Sequence, residues 1–431
     1  MKLSDLRVWG LALGSVLFFS LHSHALDAPH TLHHTKQTSQ HLSASTHARA
    51  HRRTVSGKST ARTSKAGTAA HARVQHSSSQ TQKGSIRPAS LHHRRHRYYE
   101  RFTASSFADA PIGEGDVTTG EDLIVRQAAI DALGDMNGTA VVINPANGRI
   151  LAMVNQKLAL SPGAEPCSTI KLSVALAALS EGLVTRDTMV QLQGFRMNMT
   201  QAIAHSNNLY FEELGRELGF DRVRHYANQF GLGELAGYHI DGEQLGVYPD
   251  EPIPAAEGGV GRMCSFGQGV SMTPLQLGAL VAAIANGGTL YYLQHPTTKD
   301  EISGFEPKVK RKLDIARFVP DLQDGMAGAV HYGTARSLRA NFQEFPVFGK
   351  TGTCSDSGTR FGWFASYSQT PLGNLVTVFF LEGGRPTFGP RAAELTGEFY
   401  KNLWDRNYFA GKDQQTASAS TASATGATSA Q

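Results

Sequence analysis

From residue 28 to residue 99 the chain has no aspartate or glutamate, and no apolar run there exceeds two residues. The same stretch carries thirteen Lys or Arg and eleven His. A segment so poor in apolar side chains cannot bury enough surface to offset the entropy of ordering its backbone. It is expected to act as an extended basic tether. Dense cations invite a nucleic-acid partner through phosphate neutralisation, but the only aromatics in the stretch are Tyr98 and Tyr99, at its very end. Nothing stands ready to stack on bases, so no nucleic-acid partner is expected. A spacer across a cell wall, or contact with anionic envelope polymers, suits the composition better. The histidines show no recurring ligand spacing, so neither a metal site nor a cofactor is implied.

Long hydrophobic runs are also missing. The longest near the N-terminus, Val8–Leu21, has fourteen residues and follows Lys2 and Arg7. A bilayer span needs about twenty, so the run fits a secretory signal, with Ser23-His24-Ala25 supplying small residues for cleavage after Ala25. Retention as a membrane anchor is the alternative. Either way the body works outside the cytoplasm, and its three cysteines, Cys167, Cys264 and Cys354, meet oxidising conditions. Setting aside the thirteen tether cations leaves 28 Lys and Arg against 36 Asp and Glu, an acidic body on a basic arm. From Gly411 the chain is Ala/Ser/Thr/Gln-rich and reads as a tail. The expected organisation is a signal peptide over 1–25, the tether over 26–107, one catalytic domain over 108–410 and the tail over 411–431.

Within the body, apolar runs at 139–144 and 149–154 flank Pro145-Ala146-Asn147-Gly148, which predicts a β-hairpin. Residues 168–181 leave little polar surface and predict a buried helix stopped by Gly182. Helical patterns follow at 208–219, 221–230, 274–286 and 320–330. Strands are expected at 345–349, 360–369 and 374–382, and a closing helix from about Pro390 to Asp405. Hairpin first, helices in the middle and a meander last imply an α+β fold, an antiparallel sheet with a helical cluster.

Three short motifs carry the chemistry. Ser168-Thr169-Ile170-Lys171 opens the buried helix, where positions three apart share a face and the lysine amine reaches the serine hydroxyl. A hydroxyl needs an adjacent base to become a nucleophile, and burial lowers a lysine pKa enough to provide one. The helix start also aims backbone N–H groups at a developing oxyanion. The bland alternative is a helix cap beside a surface lysine, which the apolar neighbours of Lys171 oppose. Ser206-Asn207-Asn208 precedes another helix, and alone it reads as an N-cap. Its functional reading makes Ser206 a proton relay and Asn208 a partner for a substrate backbone. Lys350-Thr351-Gly352 ends an apolar strand. Gly352 lets a substrate backbone approach, and Lys350 with Thr351 can hold a terminal carboxylate, by strand addition if the strand lies at an edge.

Ser168 to Ser206 is 38 residues, and Ser206 to Lys350 another 144. This ordered set resembles the penicillin-binding protein and serine β-lactamase superfamily, whose serine enzymes carry the same three motifs in this order. The text around them resembles the transpeptidase branch: Gly267-Gln268-Gly269, Thr273-Pro274-Leu275-Gln276-Leu277, Gly333-Thr334-Ala335 and Gly362-Trp363-Phe364. The resemblance spans about residues 120 to 405. It implies Ser168 as acylated nucleophile, Lys171 as general base, Ser206 as relay, Asn208 as substrate anchor, and Lys350 and Thr351 as carboxylate partners. The backbone N–H groups of Ser168 and Thr353 would form the oxyanion hole. Peptidoglycan stem peptides and β-lactams are the implied partners. Neither a glycosyltransferase domain nor a division-type pedestal fits into residues 1–120, and the first-to-second-motif gap is shorter than in typical transpeptidases. Cysteines at the positions of Cys167 and Cys354 resemble the disulfide pair of some class A carbapenem-hydrolysing enzymes, which implies a bond here and a free Cys264.

Three activities remain open: a D,D-transpeptidase or D,D-carboxypeptidase, a β-lactamase, and a non-catalytic wall or β-lactam sensor. A class A β-lactamase has a Glu in an E-x-x-x-N segment. Four residues beyond Glu234, Glu243, Glu251 and Glu257 stand Tyr238, Val247, Ala255 and Gly261. The class D version uses a Tyr-type second motif, and here that motif is Ser206-Asn207-Asn208. Missing bases favour slow deacylation and hence the first activity. The single short hydrophobic run makes a sensor with a transmembrane partner a poor fit.

Overall fold

The computed structural model describes residues 102–410, so the expected signal peptide, most of the basic tether and the C-terminal tail lie outside the described residues. The first half of the body comprises α1 (Leu123–Leu133), β1 (Gly138–Asn144), β2 (Arg149–Val154), α2 (Gln156–Ala159) and a 3-10 turn over Cys167–Ile170 that runs into α3 (Lys171–Ser180). Next come β3 (Val190–Gln191), β4 (Arg196–Met197), α4 (Met199–Ala204), α5 (Asn208–Leu218), α6 (Phe220–Gln229), α7 (Gly259–Phe266) and α8 (Pro274–Ala285). The remainder is β5 (Thr289–Tyr291), α9 (Lys299–Ser303), β6 (Val309–Lys312), α10 (Val319–His331), β7 (Val347–Asp356), β8 (Thr359–Thr370), β9 (Gly373–Gly383) and α11 (Gly389–Asp405).

Five strands form one antiparallel sheet in the order β2-β1-β9-β8-β7. The expected hairpin pairs Asn144 with Arg149, and the C-terminal meander pairs β7 to β8 and β8 to β9. Successive strand side chains point to opposite faces, and both faces are covered. Val141, Ile143, Trp363, Ala365 and Phe380 look into a core built with α3, α5 and α8. Ala140, Val142, Phe364 and Phe379 look into a second core with α1 and α11. A sheet buried on both sides explains why β9 reads as a nearly continuous apolar run over residues 375–381 rather than an alternating one. The α+β assignment holds, with the helical cluster on one face and the terminal helices on the other.

Two boundaries differ from expectation. Thr103–Phe107, given to the tether on composition, belong to the folded body. Ser106 is buried and donates to the Arg385 carbonyl at 2.7 Å, and Phe107 bridges Met136. β7 starts at Val347 and continues to Asp356, so the third motif sits inside a ten-residue strand instead of at the end of a short one. Thr351 and Thr353 favour a strand, and pairing with β8 carries it through Gly352, the one residue of the three that does not. Among the described residues, no helix is long and apolar enough to cross a membrane.

Candidate active site

β7 is an edge strand, and the 3-10 turn at Cys167–Ile170 lies against it. In a 3-10 turn, side chains three apart nearly eclipse. Lys171 Nζ accordingly sits 2.7 Å from Ser168 Oγ. Lys171 is the first residue of α3 and is fully buried, whereas Ser168 is half-buried. Two features fix the turn. Cys167 adopts φ +50°, a region that costs a non-glycine residue roughly 1–2 kcal/mol. Its sulfur is bonded to Cys354 on β7, with the Cα atoms 5.5 Å apart. Cys264 is buried and unbonded, inside the core against α5.

The second motif divides its labour. Asn207 caps α5, its Oδ1 accepting from Tyr210 N at 2.9 Å, as the ordinary capping propensity predicts. Ser206 and Asn208 instead turn toward the lysines. Lys171 Nζ lies 2.7 Å from Asn208 Oδ1 and 3.2 Å from Ser206 Oγ, and it also donates to the Ser206 carbonyl at 3.1 Å. Lys350 Nζ reaches the same Ser206 Oγ at 2.8 Å and donates to the Thr351 carbonyl at 2.9 Å. Ser206 therefore bridges the two amines. It can do so because its backbone takes φ +54° between α4 and α5.

Burial dominates the electrostatics. It draws the Lys350 ammonium down to about 7, and Lys350 is fully inaccessible. Burial, reinforced by the Lys350 charge, pulls Lys171 well below the ordinary lysine range, against a smaller opposing pull from Glu212. Neither lysine has an ion-pair partner among the described residues, although Lys171 Nζ stands 5.6 Å over the Phe211 ring. A neutral amine beside a serine hydroxyl can accept its proton, and a charged one, such as Lys350 Nζ 2.8 Å from Ser206 Oγ, can hold an anion.

Alternation along β7 separates the rest of the third motif. Lys350 and Gly352 point to the Ser168 side, and a Cβ on Gly352 would come within 2.9 Å of the Pro166 carbonyl. The strand can pass the 3-10 turn this closely only with glycine there. Thr351 and Thr353 point the other way. Thr351 Oγ1 donates to Thr334 Oγ1 at 2.7 Å, and Thr353 Oγ1, on an exposed residue, accepts from Gly389 N at 2.8 Å. Ser168, Lys171, Ser206, Asn208 and Lys350 thus share one network, while Thr351 and Thr353 flank it on the strand edge.

Sequence reasoning passed over several contributors. Thr334 lies within the quoted Gly333-Thr334-Ala335 but had no role until its hydroxyl met Thr351. The Glu165 carbonyl accepts the Trp363 indole N–H at 3.0 Å, tying the segment before Ser168 to β8. Gly267, at φ +76°, packs beneath Pro166, where an added Cβ would come 2.4 Å from the ring. No local pattern announces these contacts, which join residues far apart in the chain.

Known proteins share both the pattern and the fold. The chain is 31% identical over 257 residues to stage V sporulation protein D of Bacillus subtilis, covering 50% of this chain and 39% of that protein. It is 25% identical over 348 residues to the peptidoglycan D,D-transpeptidase MrdA of Acinetobacter baumannii, 64% of this chain and 51% of that one. The chain therefore spans about half or less of the length of these relatives. Penicillin-binding protein 3 of Mycobacterium tuberculosis, solved with aztreonam, superposes with a TM-score of 0.54 at 22% identity, over 67% of this chain and 77% of that one. Penicillin-binding protein 2 of Pseudomonas aeruginosa, solved with WCK 5153, gives 0.56 at 24% identity, over 66% and 74%. These two likenesses establish the fold. The model of the penicillin-binding protein transpeptidase domain matches residues 138–401, which takes in all three motifs and every strand of the main sheet, so the chain belongs to the penicillin-binding protein transpeptidase family.

Proposed function

We propose that this chain is a serine D,D-transpeptidase domain that acts on peptidoglycan stem peptides through an acyl-enzyme on Ser168. The observation that carries the proposal is the 2.7 Å contact between Ser168 Oγ and the amine of a fully buried Lys171. Burial pulls that amine well below the ordinary lysine range, which favours the neutral form that would accept the hydroxyl proton as Ser168 Oγ attacks the donor carbonyl. Backbone N–H groups of Ser168 and Thr353 would stabilise the oxyanion. Ser206, bridging Lys171 and Lys350, would pass a proton to the leaving amine, and Asn208 would hold the donor's backbone amide. Lys350 and Thr351 would draw its terminal carboxylate to the strand edge, along which Gly352 admits an extended peptide. Attack on the acyl-enzyme by an amine gives a cross-link, and attack by water gives the carboxypeptidase product.

The β-lactamase alternative needs a base aimed at water. Two of the glutamates that offered one serve the scaffold. Glu234 pairs with Lys310 and Arg311, and Glu243 accepts from the Ala236 and Gly237 N–H groups. We also place the enzyme in the cell envelope, with the basic segment before residue 102 reaching toward anionic wall polymers. Intact-mass analysis through a time course after benzylpenicillin tests the central reading. A stoichiometric adduct on Ser168 that lasts for minutes is the expected result. Rapid loss of the adduct with turnover would assign a β-lactamase, and no adduct would remove the acyl-enzyme.

A further inference from the structure

Thr353 N–H, one of the two donors proposed for the oxyanion, lies on a strand that the sheet holds along one side only, since β7 is the edge. The Thr351 carbonyl accepts from Lys350 Nζ, which places the Thr351 backbone groups on the open edge, and alternation puts those of Thr353 there too. One further hold on this strand is the disulfide at Cys354, on the Ser168 side. A second lies on the opposite face, and no motif announces it. Directly opposed residues of antiparallel neighbours share a face, and Thr353 is opposed by Gly362 on β8. The start of α11 sits over this pair. A Cβ on Gly362 would come 2.7 Å from the Phe388 carbonyl carbon, and a Cβ on Gly389 would come 2.7 Å from the Gly352 carbonyl oxygen, 2.8 Å from Thr351 Cβ and 3.1 Å from Thr353 Oγ1. Gly389 N–H donates to Thr353 Oγ1 at 2.8 Å. One glycine thus meets all three residues of the Thr351–Thr353 stretch. Its helix is anchored from behind, with Ala392, Leu395 and Phe399 fully buried and Ser337 Oγ donating to the Pro390 carbonyl at 2.6 Å. An edge strand bonded on one side yields before such a helix does.

We propose that Gly389 is a positioning residue for acylation: its N–H and its lack of a side chain set where Thr353 presents its backbone N–H to the reacting carbonyl oxygen. The inference rests on the acyl-enzyme reading above. As Ser168 Oγ adds to the carbonyl carbon, its proton passes to Lys171 and the carbonyl electron pair moves onto oxygen. Donors stabilise that charge because they already stand where it appears, and such groups must be held within about 0.5 Å of the productive geometry. A methyl group on Gly389 would meet a backbone oxygen and a Cβ, neither of which can swing aside as the tip of a long side chain does. The strand must then move by a few tenths of an ångström and carry Thr353 N–H with it. The Gly389 backbone lies outside the left-handed region, so alanine there strains this contact and not the helix. Gly389 touches neither the substrate nor the reacting atoms and acts through Thr353.

The test separates binding from chemistry. Adduct formation with benzylpenicillin is followed across concentration, which gives a dissociation constant for the first complex and a first-order acylation constant. The unfolding midpoint is measured beside them. Losing an oxyanion donor outright costs about 10²–10³ in rate, so displacing one in Gly389→Ala should slow acylation by about tenfold or more, while the dissociation constant moves by less than about threefold. Thr353→Val removes the acceptor of the Gly389 N–H without adding bulk and should slow the same step. Thr353→Ser restores the oxygen and should recover most of that loss. This pair carries the test if Gly389→Ala does not fold, and equal acylation constants in the two variants then overturn the inference. An unchanged acylation constant in folded Gly389→Ala overturns it, as does a loss confined to the dissociation constant. A lower unfolding midpoint with both constants intact shows a merely structural role and overturns it too. If the wild type forms no acyl-enzyme at all, the underlying reading fails and takes this inference with it.

Discussion

Lys350→Met should make the protein more stable and catalytically silent. A lysine drawn from 10.5 in the unfolded chain to about 7 in the fold is penalised for carrying its charge. The difference, about 3.5 units at 1.36 kcal/mol each, sets a ceiling of about 5 kcal/mol. The sign follows from proton counting. Below pH 7 both states hold the proton and the folded state bears the whole penalty. Between pH 7 and 10.5 the folded lysine sheds its proton first, so the penalty shrinks, and above 10.5 it is gone. Methionine fills nearly the same volume without charge, but it leaves Ser206 Oγ and the Thr351 carbonyl short of a donor, at roughly 1 kcal/mol each. The net gain is about 2–3 kcal/mol at pH 6, diminishing toward pH 10. Urea unfolding of both proteins across that range measures it directly. A variant less stable than wild type at pH 6, or a gain that does not decline with pH, refutes the argument that burial alone depresses Lys350. Buried cations retained against such a cost are kept for function, and penicillin acylation of the variant should fall by orders of magnitude.

Three further outcomes follow from the same network. Ser168→Ala should abolish labelling by a fluorescent penicillin, and Lys171→Ala should slow it by about three or more orders of magnitude while the thermal melt persists, since a hydroxyl without its base is inert; equal labelling of Ser168→Ala would remove it as nucleophile. The second-order acylation rate should fall as pH rises through about 7, where Lys350 loses its charge and its hold on a carboxylate, and Lys350→Arg should move that limb out of range; an unmoved limb would assign it to another group. Opening the 187-residue loop by replacing Cys167 and Cys354 should cost at most about 5 kcal/mol on the chain-entropy account. Cys167→Gly/Cys354→Ser should then outlast Cys167→Ala/Cys354→Ser by about 1 kcal/mol, because glycine accepts the left-handed backbone. Identical denaturation midpoints would show that this strain is relieved once the bond is gone.

The sequence by itself determined the elements and the chemistry they bear. Period-two and period-3.6 apolar patterns reflect burial on one or both faces of a strand or helix, so the hairpin at Asn147-Gly148, the buried helix after Ser168 and the C-terminal meander were legible within a few residues. The three motifs were legible too, because each is short and local. Tertiary structure decided what pairing and close approach impose. It extended β7 through Gly352, a poor strand former, since pairing with β8 continues across it. It drew Thr103–Phe107 into the fold through contacts with Arg385 and Met136, residues that no local pattern connects to them. It brought Ser206 between two lysines 35 and 144 residues away. Above all it set the charge states. A lysine's pKa depends on what surrounds it in three dimensions, and only the packing of α3, α5 and β7 removes enough water to draw Lys171 well below the ordinary lysine range and Lys350 to about 7.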